Sequence, residues 1–339
     1  MPAPFTRRRW IVASSAALLG ASCEKQDPKT ARQLFAEAKP ETQASSSPSP
    51  GTRPEIVDIH QHTNYHGRTD ADMIHHQGAM GVTKTILLPA GSDALRPSTH
   101  NGKSFGLAAR VLGNEAAYRL VKEYPEKFVF CANEVTDLDS AVAEMEKYLK
   151  LGACGIGEQK FSVECDSAVS LKVYDLAKAY GVPVLLHFQH KTYNLGYERF
   201  YQVLEKYPTV NFIAHAQTTW GNVDAAHKQE DLYPKGKVTP GGLTDKWLTN
   251  YPNFFADLSA GSGLNAFTRD EEHGAAFFAR HQDKLLYGSD CQDVLGTPED
   301  KNCCGSKMIA LIRKLVPDEG AQRKILAENA KRVFKLTEA

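Results

Sequence analysis

The chain has 339 residues, 42% of them apolar, and forty basic residues balance forty acidic ones. That length and apolar share allow a large core, within which a single α/β barrel of about 250 residues would fit. A neutral chain with no Lys/Arg-rich run beyond its N-terminus offers no electrostatic face for nucleic acid, so small molecules are the expected partners.

The first residues read as an address. Arg7, Arg8 and Arg9 precede Trp10, and residues 11–19 form an apolar stretch too short to span a bilayer. Residues 1–23 are therefore expected to be an export signal similar to a twin-arginine one. Gly20-Ala21-Ser22-Cys23 resembles a lipoprotein cleavage box with Cys23 as the lipidated residue, although the usual leucine stands one place early at Leu19. A plain cleaved signal is the alternative. Periplasmic or lipid-anchored location follows, with membrane contact through Cys23 only. Residues 24–53 are rich in Lys, Glu, Gln, Ser and Pro and bury too little apolar surface to offset their ordering entropy, which predicts a flexible linker. The folded domain is expected over 54–339.

From there strand and helix patterns alternate. Strands are expected at 55–62, 83–89, 127–133, 154–159, 184–187, 211–215, 253–258 and 284–290. Helical spacing falls at 70–81, 114–124, 138–151, 168–180, 198–207, 243–250, 271–280, 307–315 and 320–334. Eight short apolar strands separated by helices imply parallel pairing. The economical fold is a single-domain (β/α)8 TIM barrel; an open doubly wound sheet would usually offer a Gly-rich βα turn, and the chain has no GxGxxG.

In such a barrel the C-terminal ends of the strands meet at one mouth. His60 and His62 end strand one, Glu158 ends strand four, His187 strand five, His215 strand six and Asp290 strand eight. Alternation in an extended strand points His60 and His62 the same way. Each of these residues closes an apolar run, where a polar side chain needs a partner or a metal. Imidazole and carboxylate suit zinc first, and also Mn, Fe, Ni or Co, so the donors do not name the ion.

HxH on strand one, His on strands five and six, and Asp290 within Tyr287-Gly288-Ser289-Asp290 resemble the amidohydrolase superfamily, in particular its amidohydrolase-related branch of small barrels, over about residues 54–337. The resemblance implies a metal-dependent hydrolase, with nonoxidative decarboxylases among its relatives. It makes His60, His62, His187 and Asp290 metal ligands, with His215 a second-metal ligand or electrostatic catalyst. Many members place a carboxylated lysine at the end of strand four. Here Gly155-Ile156-Gly157-Glu158 is similar to the TatD-like deoxyribonuclease branch, so Glu158 admits a second ion. Lys160, two residues on, is the alternative ligand, or a charge partner for Glu158. One or two divalent ions are thus expected.

The leading chemistry is hydrolysis of an amide, ester or lactone by a metal-activated water, with Asp290 as proton shuttle and His215 facing the oxyanion. Nonoxidative decarboxylation is the alternative, and a non-catalytic metal- or ligand-binding envelope protein the non-enzyme reading. A nuclease is disfavoured by the neutral charge. Arg68 is expected to fork onto a substrate carboxylate, with Tyr65 and His66 beside it and Trp220 walling the pocket; surface or packing placement is the alternative for Arg68 and Trp220. His75 and His76 read as structural or solvent-facing, residues 259–263 as a close-approach turn, and Asp257 as a structural hydrogen bonder. Apart from Cys23, Cys131 and Cys154 read as buried small residues. Cys291 with Cys303 or Cys304 would close a loop of about a dozen residues as a disulfide, worth roughly 3 kcal/mol. Oligomeric state and substrate identity are left open.

Overall fold

The computed structural model describes residues 54–91, 111–297 and 302–336. The export signal, the linker and Cys23 lie outside the described residues. Among those described, no helix is long and apolar enough to cross a membrane.

Eight parallel strands run β1 (Val57–Gln61), β2 (Lys84–Leu87), β3 (Phe128–Phe130), β4 (Ile156–Gln159), β5 (Val184–His187), β6 (Phe212–His215), β7 (Phe254–Asp257) and β8 (Leu285–Leu286). Hydrogen bonding is continuous from β1 to β3 and from β4 to β8. Further backbone hydrogen bonds close the two seams: from β3 to β4, Cys154 N–H donates to Phe130 O (2.8 Å), Ala132 N–H to Gly155 O (2.9 Å) and Gly157 N–H to Ala132 O (2.9 Å), and from β1 to the end of β8, Ile59 N–H donates to Tyr287 O (3.1 Å). The result is a closed (β/α)8 barrel, as the strand repeat predicts.

Between the strands lie α1 (Asp70–Met80), α2 (Asn114–Glu123), α3 (Ala141–Lys150), α4 (Ala168–Tyr180), α5 (Tyr201–Lys206), α6 (Ala216–Gly221), α7 (Leu243–Asn250), α8 (Ala260–Thr268) and α9 (Glu271–His281). After β8 come α10 (Cys304–Leu315), α11 (Glu319–Arg323) and, beyond a π-helical turn, α12 (Asn329–Phe334). Local chemistry sets several ends. Thr69 and Asp72 form a capping box on α1, Ser167 caps α4, and Gly181 ends α4 with φ 63°, a conformation that favours glycine.

Val57, Ile59, Ile86, Leu88, Leu185, Ile213, Phe255 and Leu286 fill the barrel interior, and Ala330, Val333 and Phe334 of α12 pack onto the same cluster. A larger apolar layer lies between strands and helices. Strands buried on both faces explain why they read as continuous apolar runs.

Two expectations need correction. Residues 259–263 are not a turn: Ser259 precedes α8, and the glycines at 261 and 263 hid its helical period. Strand eight pairs over two residues only, so Asp290 stands in the loop beyond it, with φ 47°. An aspartate tolerates this left-handed conformation better than most residues. Its N–H is pinned to His60 O at 2.9 Å.

Candidate metal centre at the barrel mouth

Val57 and Ile59 face the interior, so strict alternation would turn His60 outward. A register irregularity between Asp58 and Gln61 intervenes, and His60 and His62 come to face the mouth together. His60 N–H bonds to Asp58 Oδ1 (3.0 Å), and Asp58 also takes the Ser289 N–H (2.9 Å) and the Gln77 amide (3.0 Å). Asp58 thereby ties the strand-one bend to α1 and to the residue before Asp290. Sequence reasoning passed over it because a strand aspartate next to an HxH pair has no distinctive spacing.

Four side-chain atoms from two strand ends, β1 and β4, and the Asp290 loop surround one point. His60 Nε2 and His62 Nε2 each lie 3.6 Å from Glu158 Oε2, and they lie 3.8 and 3.6 Å from Asp290 Oδ1. All four atoms are buried without a hydrogen bond. Edges of this length leave a common centre about 2.2 to 2.6 Å from each atom, the reach of a divalent cation.

The outer ring nitrogens explain why the inner ones are free. His60 Nδ1 donates to Asp257 Oδ2 (2.7 Å) and His62 Nδ1 donates to Leu88 O (2.7 Å), which leaves both Nε2 lone pairs aimed inward. Ser259 Oγ accepts from His215 Nδ1 (3.0 Å) and donates to Asp257 Oδ2 (2.9 Å). Asp257 is thus the structural hydrogen bonder expected, though it acts on the site itself. Ser259 was missed; a serine after a strand carries no recognisable signal. Gly288 makes room for this group, since a Cβ there would stand 2.5 Å from Asp257 Oδ1 and 3.0 Å from His60 Cβ.

Charge also favours a cation. Burial alone would keep His60 neutral, but Asp290, Asp257 and Glu158 around it drive its pKa well above the usual histidine range. Burial raises the Asp290 carboxyl, and His60 and His62 overcome that and hold it below the ordinary carboxylate value. Glu158 is likewise held low against its burial, by the charges of Lys160 and His60 and by the hydrogen bond from His187. The cluster is short of positive charge.

The other predicted residues fall around this group in different ways. His187 joins it through Glu158, its Nδ1 donating to Oε1 at 2.7 Å, and burial followed by Lys160 lowers its pKa. Glu158, His187 and His215 form a second trio able to hold an ion, beside His60, His62 and Asp290. His215 Nε2 is 3.8 Å from Glu158 Oε1 and 3.9 Å from Asp290 Oδ2. Burial, reinforced by His60, lowers its pKa to about 3, so it is neutral. Lys160 lies with Nζ 5.8 Å from the Tyr193 ring centre and reaches Glu158 by charge. Tyr65 stacks edge-on to His62 (5.0 Å between ring centres), and its hydroxyl is pushed far up by the Asp290 charge, by burial and by Glu158.

Arg68 and Trp220, expected at the pocket, are both buried and bonded to protein groups. Arg68 is buried and donates through its two Nη atoms to Gln61 Oε1 on β1 and to Asp293 O (3.0 Å) in the loop after β8, while its Nε has no hydrogen bond. Trp220 is buried against Phe267 and donates to Asp257 O (3.0 Å). His75 is exposed and His76 buried. No disulfide joins Cys291 to Cys303 or Cys304: the six described cysteines are free thiols, with Cys291 Sγ and Cys303 Sγ 3.8 Å apart. Cys131 is buried and Cys154 half-buried.

The family model described as Amidohydrolase matches residues 57–336. The chain belongs to the amidohydrolase family. No curated protein matches it. Among solved structures it resembles an uncharacterised TIM-barrel protein from Bordetella bronchiseptica (16% identity, TM-score 0.54, covering 83% of this chain and 98% of that one). It also resembles a probable 2-pyrone-4,6-dicarboxylic acid hydrolase from Acinetobacter baumannii (17%, 0.51, 83% and 99%). A third is a 2,6-dihydroxybenzoate decarboxylase from Rhizobium (14%, 0.51, 84% and 99%). At these identities the likeness establishes the fold. Family and donor set together describe a barrel enzyme with clusters able to hold a divalent ion.

Proposed function

We propose that this member of the family removes CO2 from a small carboxylic acid without net oxidation. The observation that carries the reading is the charge layout of the mouth. Arg68, the residue expected to clamp a substrate carboxylate, is buried and bonded to Gln61 and to the loop after β8. With an ion held by the four donors, an entering carboxylate would find its main positive partner there, where bonds are to be broken, and not at a remote clamp. That placement favours loss of the carboxylate itself, in keeping with the Rhizobium decarboxylase of the same fold.

His60, His62, Glu158 and Asp290 would hold the ion, which would supply Lewis acidity toward a substrate oxygen. Asp290 has a side chain 13% exposed, against 0–2% for the other three donors, so it is the one that can meet substrate. Ionised, it takes a proton from an acidic hydroxyl of the substrate or from water. When the bond to CO2 breaks, the electron pair stays on carbon and takes that proton back from Asp290. Tyr65 keeps its hydroxyl proton beside the Asp290 charge, and neutral His215 presents Nε2 across the site.

Hydrolysis is the second reading. It is favoured by the same ionised Asp290, which can accept a proton from an attacking water and pass it to a leaving group, and by the likeness to the Acinetobacter baumannii probable hydrolase. The two readings separate by isotope. Zinc- or manganese-loaded enzyme is offered a panel of hydroxybenzoic acids and lactones in D2O and in 18O-water. Decarboxylation releases CO2 and leaves one deuterium on the former carboxyl-bearing carbon. An 18O-labelled acid or alcohol without CO2 would replace this reading by the hydrolytic one.

A further inference from the structure

A second donor cluster lies behind the mouth, on the far side of the Asp290 loop. His76 on α1, Cys291 and Asp293 in the loop after β8, and Cys303 before α10 offer four ligand atoms within 4.8 Å of one another. His76 Nε2 is 3.3 Å from Asp293 Oδ1 and 3.5 Å from Cys303 Sγ, and the two sulfurs are 3.8 Å apart. A tetrahedral zinc with Zn–S of about 2.3 Å and Zn–N and Zn–O of about 2.0 Å demands about 3.3, 3.5 and 3.8 Å for those three edges.

We propose that His76, Cys291, Asp293 and Cys303 hold a second divalent ion of the zinc class, four-coordinate and closed to substrate.

Independent features point the same way. The Asp293 side chain is only 5% exposed, yet its Oδ1 is buried without a hydrogen bond and faces His76. A buried carboxylate oxygen without a hydrogen bond is costly unless a cation meets it. Gly305 N–H donates to Cys291 Sγ (3.0 Å) and Ser306 N–H to Cys303 Sγ (3.3 Å), so each sulfur has a backbone donor that stabilises a thiolate. Both donors belong to the first turn of α10, a twelve-residue helix whose N-terminus favours negative charge. Gly296, with φ 66°, turns the loop back beneath α1, where a Cβ would meet His76 O at 2.4 Å.

Two thiolates, one carboxylate and one imidazole around zinc carry one surplus negative charge. Arg68, bonded to Asp293 O, is placed to offset it. The ion would bind α1, the β8 loop and the start of α10 at one point, one residue from Asp290. This site does not depend on which reaction the mouth performs.

The test uses the chain stripped of metal and reloaded with cobalt(II) or zinc. Cobalt gives a near-ultraviolet thiolate-to-metal charge-transfer band, which persists in His60→Ala and is lost in Cys291→Ser and Cys303→Ser. X-ray absorption on the zinc-loaded wild-type protein shows sulfur at about 2.3 Å. These wild-type readouts decide the matter even if the cysteine variants fold poorly. Absence of both the band and the sulfur shell would overturn the proposal. So would a purified protein lighter by two hydrogens, with Cys291 and Cys303 recovered in one bridged peptide.

Discussion

The two donor clusters share a backbone but are built on opposite rules. At the mouth, two histidines and two carboxylates enclose a point from strand ends and the Asp290 loop, and Asp290 keeps a partly open side. Behind it, two thiols, a histidine and a carboxylate close on each other, with backbone N–H groups against both sulfurs. An open position permits substrate to enter, whereas a sealed shell with sulfur donors serves to hold chain segments together. Asp290 and Cys291 are neighbours in sequence, so the contrast turns on a single peptide unit pointing its two side chains to opposite sides.

The largest effect that could break this contrast is at Asp290. Asp290→Asn keeps the size and an oxygen donor but removes the proton acceptor, and turnover should fall by about 10^2- to 10^4-fold. Metal content by elemental analysis and the thermal midpoint should change little by comparison. Turnover near wild type would show that the open side of the mouth has no chemical role, and the distinction between the two clusters would lose its basis.

Next in size is the support behind His60. Asp257 Oδ2 fixes the ring through Nδ1 at 2.7 Å and also takes the Ser259 hydroxyl. Asp257→Asn replaces an anionic acceptor by a neutral one, and affinity for the mouth ion should drop by about 10- to 100-fold. Competition with a chromogenic chelator measures it. The thiol-bound ion should be unaffected, so a metal titration that resolves two classes in the wild type should shift in one class only. A shift in both would mean that the clusters are coupled and not separate.

How much of this could be read from the chain depends on what kind of signal each feature leaves. The spans 184–187, 168–180 and 243–250 are recovered to the residue, because apolar runs or helical spacing there end at Gly, Pro or a buried histidine. The mouth donors were legible because a polar residue closing an apolar strand is out of place. Their orientation was legible only in part: the irregularity in β1 that faces His60 inward leaves no mark in composition. Helices α6 and α8 were hidden, the first by its six-residue length and the second by its glycines and small residues. Arg68 read as a free cation because nothing local shows that Gln61 and the Asp293 carbonyl accept hydrogen bonds from its Nη atoms. The cysteine pair near the C-terminus was visible, but its partner His76 lies more than two hundred positions away, and only the closed barrel brings them together.

The smallest expected effect is a control on carboxylates that have only protein partners. Asp270 caps α9, and its pKa is lowered from 3.8 to about 2, chiefly by the Val238 N–H, against burial and with help from Lys237. A carboxylate whose folded pKa lies below its unfolded one adds stability above the unfolded value. That contribution is lost as pH falls from 3.8 toward 2. The folded state binds fewer protons than the unfolded state in that window, so the thermal midpoint of the metal-free protein should decline with acid. Asp270→Asn should remove up to one proton from the slope there and leave the midpoint's pH dependence above about 5 unchanged. The mouth carboxylates behave differently if they meet a cation: their share of the acid sensitivity should move when metal is added, and the Asp270 share should not. Equal slopes in wild type and Asp270→Asn between pH 4 and 2 would place that loss elsewhere, with the metal-facing carboxylates the first to consider.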